Sequence, residues 1–239
     1  MSRPERIAIF GGTFDPIHAG HLRSARIVGR RLGLDRILFV PASIPPHKAR
    51  PGLAAAADRY RMVRLAVAGR KDWTASPVEI RAGGTSFSIR TIERLRRRYP
   101  RARLFFIAGA DAFREIKTWR EWERVLQSCL FIVTTRPGAG LDAAAKGLGR
   151  AYGGRVRTLR PGVAVREADF APGRIFLLKI DALPVSSTAI REKARRGESL
   201  RGLVPSAVAA YIRSRKLYEA SPASPVPPQS APRRHGIHR

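Results

Sequence analysis

The stretch FGGTFDPIHAGHL, Phe10 to Leu22, sets two imidazoles, His18 and His21, three residues apart and shortly after the glycine pair Gly11-Gly12. If the chain turns helical at His18, residues three apart share a face and both rings address one spot. Donors at a helix start suit an anion, because the first-turn N–H groups and the helix dipole draw negative charge there. Glycines ahead of the helix let backbone N–H groups come close to a ligand. A metal would need a third and a fourth ligand, for which Asp15 and His47 are the neighbouring candidates. The spacing by itself leaves three readings open: a phosphate site, a metal site, and an ordinary helix start.

Three other stretches carry residues that can do chemistry. In VPASIPPHK, 40–48, three prolines stiffen a loop that ends in a donor, His47, and a fixed cation, Lys48; a rigid turn with a solvated lysine has the same appearance. In FFIAGADAFREIKTW, 105–119, Gly109 allows close backbone approach. Asp111 can accept from ribose hydroxyls or a base, or cap the next helix. Trp119 can stack on a planar ring or belong to the core. In LPVSSTAIRE, 183–192, the hydroxyls of Ser186, Ser187 and Thr188 precede a helical pattern, as caps do. The same groups can hold a phosphate, with Arg191 one turn on as a bidentate partner.

Such loops need a frame. Short apolar runs at 6–10, 36–40, 102–108, 130–134 and 174–179 predict buried strands. Helical patterns lie between and after them, at about 18–32, 58–70, 86–98, 111–126, 188–196 and 205–217. Unbroken apolar strands alternating with helices predict an α/β fold, a Rossmann-like open parallel sheet with helices on both faces. Sites in such sheets sit beyond the carboxyl ends of the strands, which picks out the segments after Phe10, Val40, Ala108 and Thr134. The glycine- and alanine-rich stretch 136–154 is expected to be a surface excursion. From Ala220 the chain is rich in proline, serine and alanine without apolar period, so a domain at 1–219 and a disordered tail at 220–239 are expected, with no role for His235 or His238.

Composition narrows the class. A chain of 239 residues supports one sizeable core. No apolar run approaches the roughly 18 to 20 residues of a membrane helix, and the N-terminus lacks the apolar stretch of a signal peptide. The single cysteine, Cys129, excludes an internal disulfide, and its apolar neighbours predict a buried thiol. A soluble, cytoplasmic protein is expected. The net charge of +28 would suit a nucleic-acid binder. Yet 39 of the 46 basic residues are arginines spread along nearly every segment, with no aromatic-basic stripe. Nucleic acid is therefore not expected as the primary partner, while phosphorylated substrates would be attracted.

Taken together, the chain resembles the nucleotidyltransferase α/β phosphodiesterase superfamily, whose HxGH signature is matched by His18-Ala19-Gly20-His21. GGTFDPIHAGHL, VPASIPPHK, GADAF with its following TW, TTRPG and VSSTAIR, in that order across 7–219, resemble the bacterial nicotinate-nucleotide adenylyltransferase family. The resemblance implies transfer of the adenylyl group of ATP to nicotinate mononucleotide, giving nicotinate adenine dinucleotide and pyrophosphate in NAD biosynthesis. It implies catalytic roles for His18, His21, Lys48 and Arg191. It implies ATP contacts at Gly11, Gly12, Thr13, Phe14, Gly109, Asp111, Arg136, Ser187 and Thr188. The pyridine nucleotide would meet His47, Phe87, Ser88 and Trp119; where the family often shows tyrosine-threonine, this chain has Phe87-Ser88. Magnesium would be held mainly by the ATP phosphates, with no protein metal ligand.

Overall fold

The fold is known from a computed structural model that describes residues 3–46, 52–135, 148, 150–181 and 183–219. Among the described residues seven strands make one sheet: β1 (Arg6–Gly12), β2 (Arg36–Pro41), β3 (Trp73–Ala75), β4 (Arg103–Gly109), β5 (Leu130–Thr135), β6 (Val156–Leu159) and β7 (Ile175–Lys179). Their order is β3-β2-β1-β4-β5-β7-β6, and every pairing is parallel. Parallel strands need crossovers, and the helices supply them. These are α1 (Ala19–Leu32), α2 (Ala56–Val67), α3 (Val78–Ala82), α4 (Ser88–Arg98), α5 (Ala110–Arg114), α6 (Trp122–Ser128), α7 (Arg150–Gly153), α8 (Ser187–Arg195) and α9 (Ser206–Ser214).

The two-residue period of the strands sorts the core into two layers. Ala8, Phe10, Ile37, Phe39, Phe105, Ile107, Ile132 and Phe176 face one side, where they pack with Val28 of α1, Met62 of α2, Ile190 of α8 and Val208 of α9. Ile7, Ile9, Leu38, Val40, Phe106, Phe131, Val133 and Ile175 face the other, with Ile92 of α4, Phe113 of α5 and Val125 of α6. Both faces of the inner strands are covered, which is why they read as continuous apolar runs. The predicted open parallel sheet is thus observed, and all five predicted strands are present.

The sequence pattern missed two strands, β3 and β6. Both are edge strands of three and four residues, TRP-led WTA and VRTL, and the half-exposed polar members erase the apolar signal. The single helix expected over 111–126 is broken into α5, a 3-10 turn at Ile116–Thr118, and α6. Glu121 at φ 54 turns the chain left-handed ahead of α6, so the two segments cannot be one helix. Most of the expected excursion at 136–154 lies outside the described residues, apart from Leu148 and the helical turn α7. The expected tail at 220–239 lies outside them as well.

Candidate active site

The carboxyl ends of β1, β4, β5 and β7 open into one cavity of about 640 Å³. The end of β1 and the loop after it form its floor: Gly11, Gly12, Thr13, Phe14 and Asp15 line it, followed by His18, Gly20 and His21 at the start of α1. Gly109 and Asp111 line it from the β4 end, Thr134 and Thr135 from β5, and Ser187, Thr188 and Arg191 from α8.

The histidine pair is held in a defined way. The rings of His18 and His21 stack with centroids 3.7 Å apart and planes at 28°. The backbone N–H of His18 donates to Nδ1 of His21 at 3.3 Å. A nitrogen that accepts this bond carries no proton in it, so the neutral ring bears its proton on Nε2 and presents that nitrogen as a donor. Phe14 packs edge-on against His21 with centroids 5.1 Å apart, fixing the ring plane from the other side. Gly20 is required by this stack: a β carbon there would lie 3.0 Å from Cε1 and Nδ1 of His18. Gly109 differs, since a β carbon there would meet nothing within 4 Å and would project into open space at the cavity wall.

The first turn of α1 is only partly available to an anion. The N–H of Ala19 donates to the carbonyl of Leu203 at 2.8 Å, so one of the helix-start donors is occupied by protein. Donor capacity toward a ligand therefore rests on the imidazoles and the loop rather than on the whole helix terminus.

Arg191 brings positive charge. It is buried, and its guanidinium donates to the carbonyl of Asp15 at 2.8 Å and to Oγ1 of Thr188 at 3.0 Å. Ser186 caps α8 by accepting from the N–H of Ala189 at 3.2 Å. Ser187 donates to the carbonyl of Pro16 at 3.1 Å, so α8 is bonded to the β1–α1 loop at two points. Asp111 lies in the first turn of α5, is exposed, and pairs with Arg114.

Three of the predicted residues do not line the cavity. Trp119 packs edge-on against Phe106, centroids 5.7 Å apart. Phe87 sits under the Arg120 guanidinium at 5.0 Å, and Ser88 opens α4. Phe87 and Trp119 pack on the sheet face covered by α4 and α6, and Thr85, two residues before Phe87, is bridged to Ile44. His47, Lys48 and Arg136 lie outside the described residues.

The structure adds Arg59 and Thr135, which the sequence pattern did not single out, and gives Asp15, there only a candidate metal ligand, a different set of partners. Asp15, 3 % exposed, accepts from the hydroxyl of Tyr218 at 2.8 Å and from the N–H of Ala54 at 3.3 Å, with Arg191 at 3.8 Å. Arg59, 1 % exposed, spans three loops: it donates to the carbonyls of Thr13, Ser43 and Ala54 at 2.8 to 2.9 Å. Burial pulls its guanidinium below the usual arginine range, while Asp15 pulls it back. Its signal was present in the sequence, since Arg59 shares the apolar face of α2 with Met62 and Val63. Thr135 is fully buried at the cavity wall, and its Oγ1 has no hydrogen-bond partner among the described residues.

Comparison with known proteins adds four findings. The model of the cytidylyltransferase-like family matches residues 9–193. A protein of Desulfatibacillum aliphaticivorans named "Probable nicotinate-nucleotide adenylyltransferase" is 42% identical over 220 residues, covering 89% of this chain and 99% of its own. One of the same name from Moorella thermoacetica is 39% identical over 219 residues, covering 91% and 94%. Among solved structures, the nicotinic acid mononucleotide adenylyltransferase of Plasmodium falciparum complexed with NaAD superposes with TM-score 0.68 at 17% identity, covering 90% of this chain and 97% of its own. That last likeness speaks for the fold.

Proposed function

The chain belongs to the cytidylyltransferase-like family and, within it, to the nicotinate-nucleotide adenylyltransferases, and we propose that it transfers the adenylyl group of ATP to nicotinate mononucleotide. The products are nicotinate adenine dinucleotide and pyrophosphate. The observation that carries the reading is the stacked histidine pair at the floor of the cavity, with Nδ1 of His21 accepting from the backbone N–H of His18.

In this reading a phosphate oxygen of nicotinate mononucleotide attacks the α-phosphorus of ATP. A new P–O bond forms, and the bond from the α-phosphorus to the bridging oxygen breaks, with its electron pair leaving on pyrophosphate. The attacking oxygen is already anionic, so no general base is needed. What the protein supplies is alignment and charge. His21 donates from Nε2 to an α-phosphoryl oxygen as charge builds there, and His18 supports it from the stacked position. Arg191, with Lys48 outside the described residues, adds fixed positive charge for the leaving phosphates. The backbone of Gly11, Gly12, Thr13 and Phe14, the open wall at Gly109, and Asp111, Ser187, Thr188 and Arg136 hold the adenosine and phosphate side. The pyridine side is assigned to His47, outside the described residues, and to Phe87, Ser88 and Trp119, which a ligand would reach by extending past the cavity itself.

Magnesium fits this donor set as an ion carried on phosphate oxygens and water. Among the described residues no group of three or more His, Cys, Asp or Glu side chains could cage a metal. Of the carboxylates at the cavity, Asp15 is engaged by Tyr218 and Ala54, and Asp111 by Arg114. When bound, the ion would neutralise phosphate charge. Residues 1–219 are the adenylyltransferase domain in this proposal, 220–239 its tail, and the cytoplasm its site of action. Among the described residues no helix is long and apolar enough to cross a membrane.

A panel of acceptors offered with ATP tests the reading. Nicotinate mononucleotide should give the highest kcat/KM, above nicotinamide mononucleotide and above phosphopantetheine. Turnover of phosphopantetheine in preference to both pyridine nucleotides would overturn it.

A further inference from the structure

The last described turn of the chain reaches back to the loop that carries the histidines. Tyr218 donates its hydroxyl proton to Oδ1 of Asp15 at 2.8 Å, across 203 residues of chain. It does so from left-handed backbone, φ 70 at Tyr218 and φ 50 at Lys216, a region that residues with side chains adopt at a cost. Burial and the neighbouring carboxylate push the Tyr218 phenol well above its usual range, so it stays a donor. The segment around it is docked twice more, on α2 and on the start of α1. Tyr211 donates to Asp58 of α2 at 2.8 Å, and the carbonyl of Leu203 accepts the N–H of Ala19 at the start of α1. On the other side of Asp15, Arg59 grips the carbonyl of Thr13 at 2.9 Å.

The geometry points to Tyr218 as a positioning residue: by holding the Asp15 carboxylate it fixes the loop 13–18, and through that loop it sets where His18 and His21 meet the ligand. Tyr218 does not line the cavity, and Asp15 does. The hydroxyl therefore acts on the site through the carboxylate, three residues before His18. A charge-assisted bond to a buried carboxylate is among the stronger hydrogen bonds, which accounts for the strained backbone being retained. The kinetic part of this inference rests on the adenylyl-transfer reading; the part concerning the loop does not.

The test uses the full chain and Tyr218→Phe, which removes one oxygen and keeps the ring. Amide exchange at 13–18 should quicken at least about tenfold, with a fall in the melting temperature from the lost buried bond but exchange of the strands little changed. With ATP and nicotinate mononucleotide saturating, kcat should fall about tenfold and the KM values should move less than about threefold. In a His21→Ala background the same change should alter kcat by less than about twofold, because the alignment it serves has already been lost. Asp15→Asn, which keeps an acceptor oxygen for Tyr218, should retain more activity than Asp15→Ala. Ending the chain after Glu219 should leave kcat unchanged, and ending it after Leu217 should reproduce the Tyr218→Phe loss. Unchanged exchange at 13–18 would overturn the inference whatever the activity. So would kcat losses from Tyr218→Phe and His21→Ala that simply multiply. An inactive parent chain sinks the reaction assigned above, and exchange at 13–18 still decides the role of Tyr218.

Discussion

Gly20 lies so close to His18 that a β carbon would sit 3.0 Å from the imidazole. The contact is with the tip of a side chain, so an added methyl would displace the ring rather than break the helix. Gly20 is also the second residue of α1, where alanine stabilises a helix by up to about 1 kcal/mol relative to glycine. Stability and activity should therefore part company in Gly20→Ala. The melting temperature should hold or rise, while kcat falls at least about tenfold, as expected when a reacting group is moved by a fraction of an ångström. A thermal melt beside a turnover assay checks this, and unchanged kcat would show that the His18 ring position does not matter.

Arg59 should be among the costliest single changes in the protein. Its guanidinium satisfies the carbonyls of Thr13, Ser43 and Ala54 in a fully buried position. Lysine keeps the charge but lacks the fork that spans three acceptors. Arg59→Lys should cost about 2 kcal/mol or more, from carbonyls left unsatisfied. Urea unfolding measures it, and a loss within experimental error would mean the loops find other donors.

Glu79 gives a pH signature. Its carboxyl is buried, accepts from Thr91 and Ser86, and is raised above the ordinary glutamate value chiefly by desolvation. A group with a raised folded-state pKa contributes stability that is complete below its unfolded value, about 4.3, and is lost as pH rises through the folded value. Relative to Glu79→Gln, the parent should therefore be most favoured near pH 4 and lose that advantage toward pH 7. Unfolding curves of both proteins across this range check the sign; an advantage that grows with pH contradicts the assignment.

Cys129 is buried, and burial pushes its thiol pKa far up, so little thiolate is available. An aromatic disulfide reagent should leave the native protein unlabelled and react at once in denaturant. Fast labelling of the native state would mean the C-terminal end of α6 opens readily.

Much of this site could be read in the sequence because its chemistry is local. The spacing of His18 and His21, the glycines ahead of them and the hydroxyls before Arg191 each sit within a dozen residues, and buried strands announce themselves as unbroken apolar runs. What escaped reading depends on contacts between distant segments. Nothing near Tyr218 in the sequence tells that its hydroxyl ends on Asp15, and only the fold brings Leu203 to the N–H of Ala19. Arg59 was legible in principle, as a charged residue on an apolar helix face. The edge strands β3 and β6 were not, since three or four half-exposed residues carry no period. The break before α6 is set by a single left-handed residue, Glu121, whose type gives no warning.

Product analysis of one reaction tests the central claim most directly. Purified protein with ATP, magnesium and nicotinate mononucleotide should yield nicotinate adenine dinucleotide and pyrophosphate in equal amounts. His21→Ala, folded as judged by its melt, should lower kcat by roughly 10²- to 10³-fold, the scale of removing one preorganised donor to a developing anion. Dinucleotide absent from the parent reaction, or formed as fast by His21→Ala, would contradict the account.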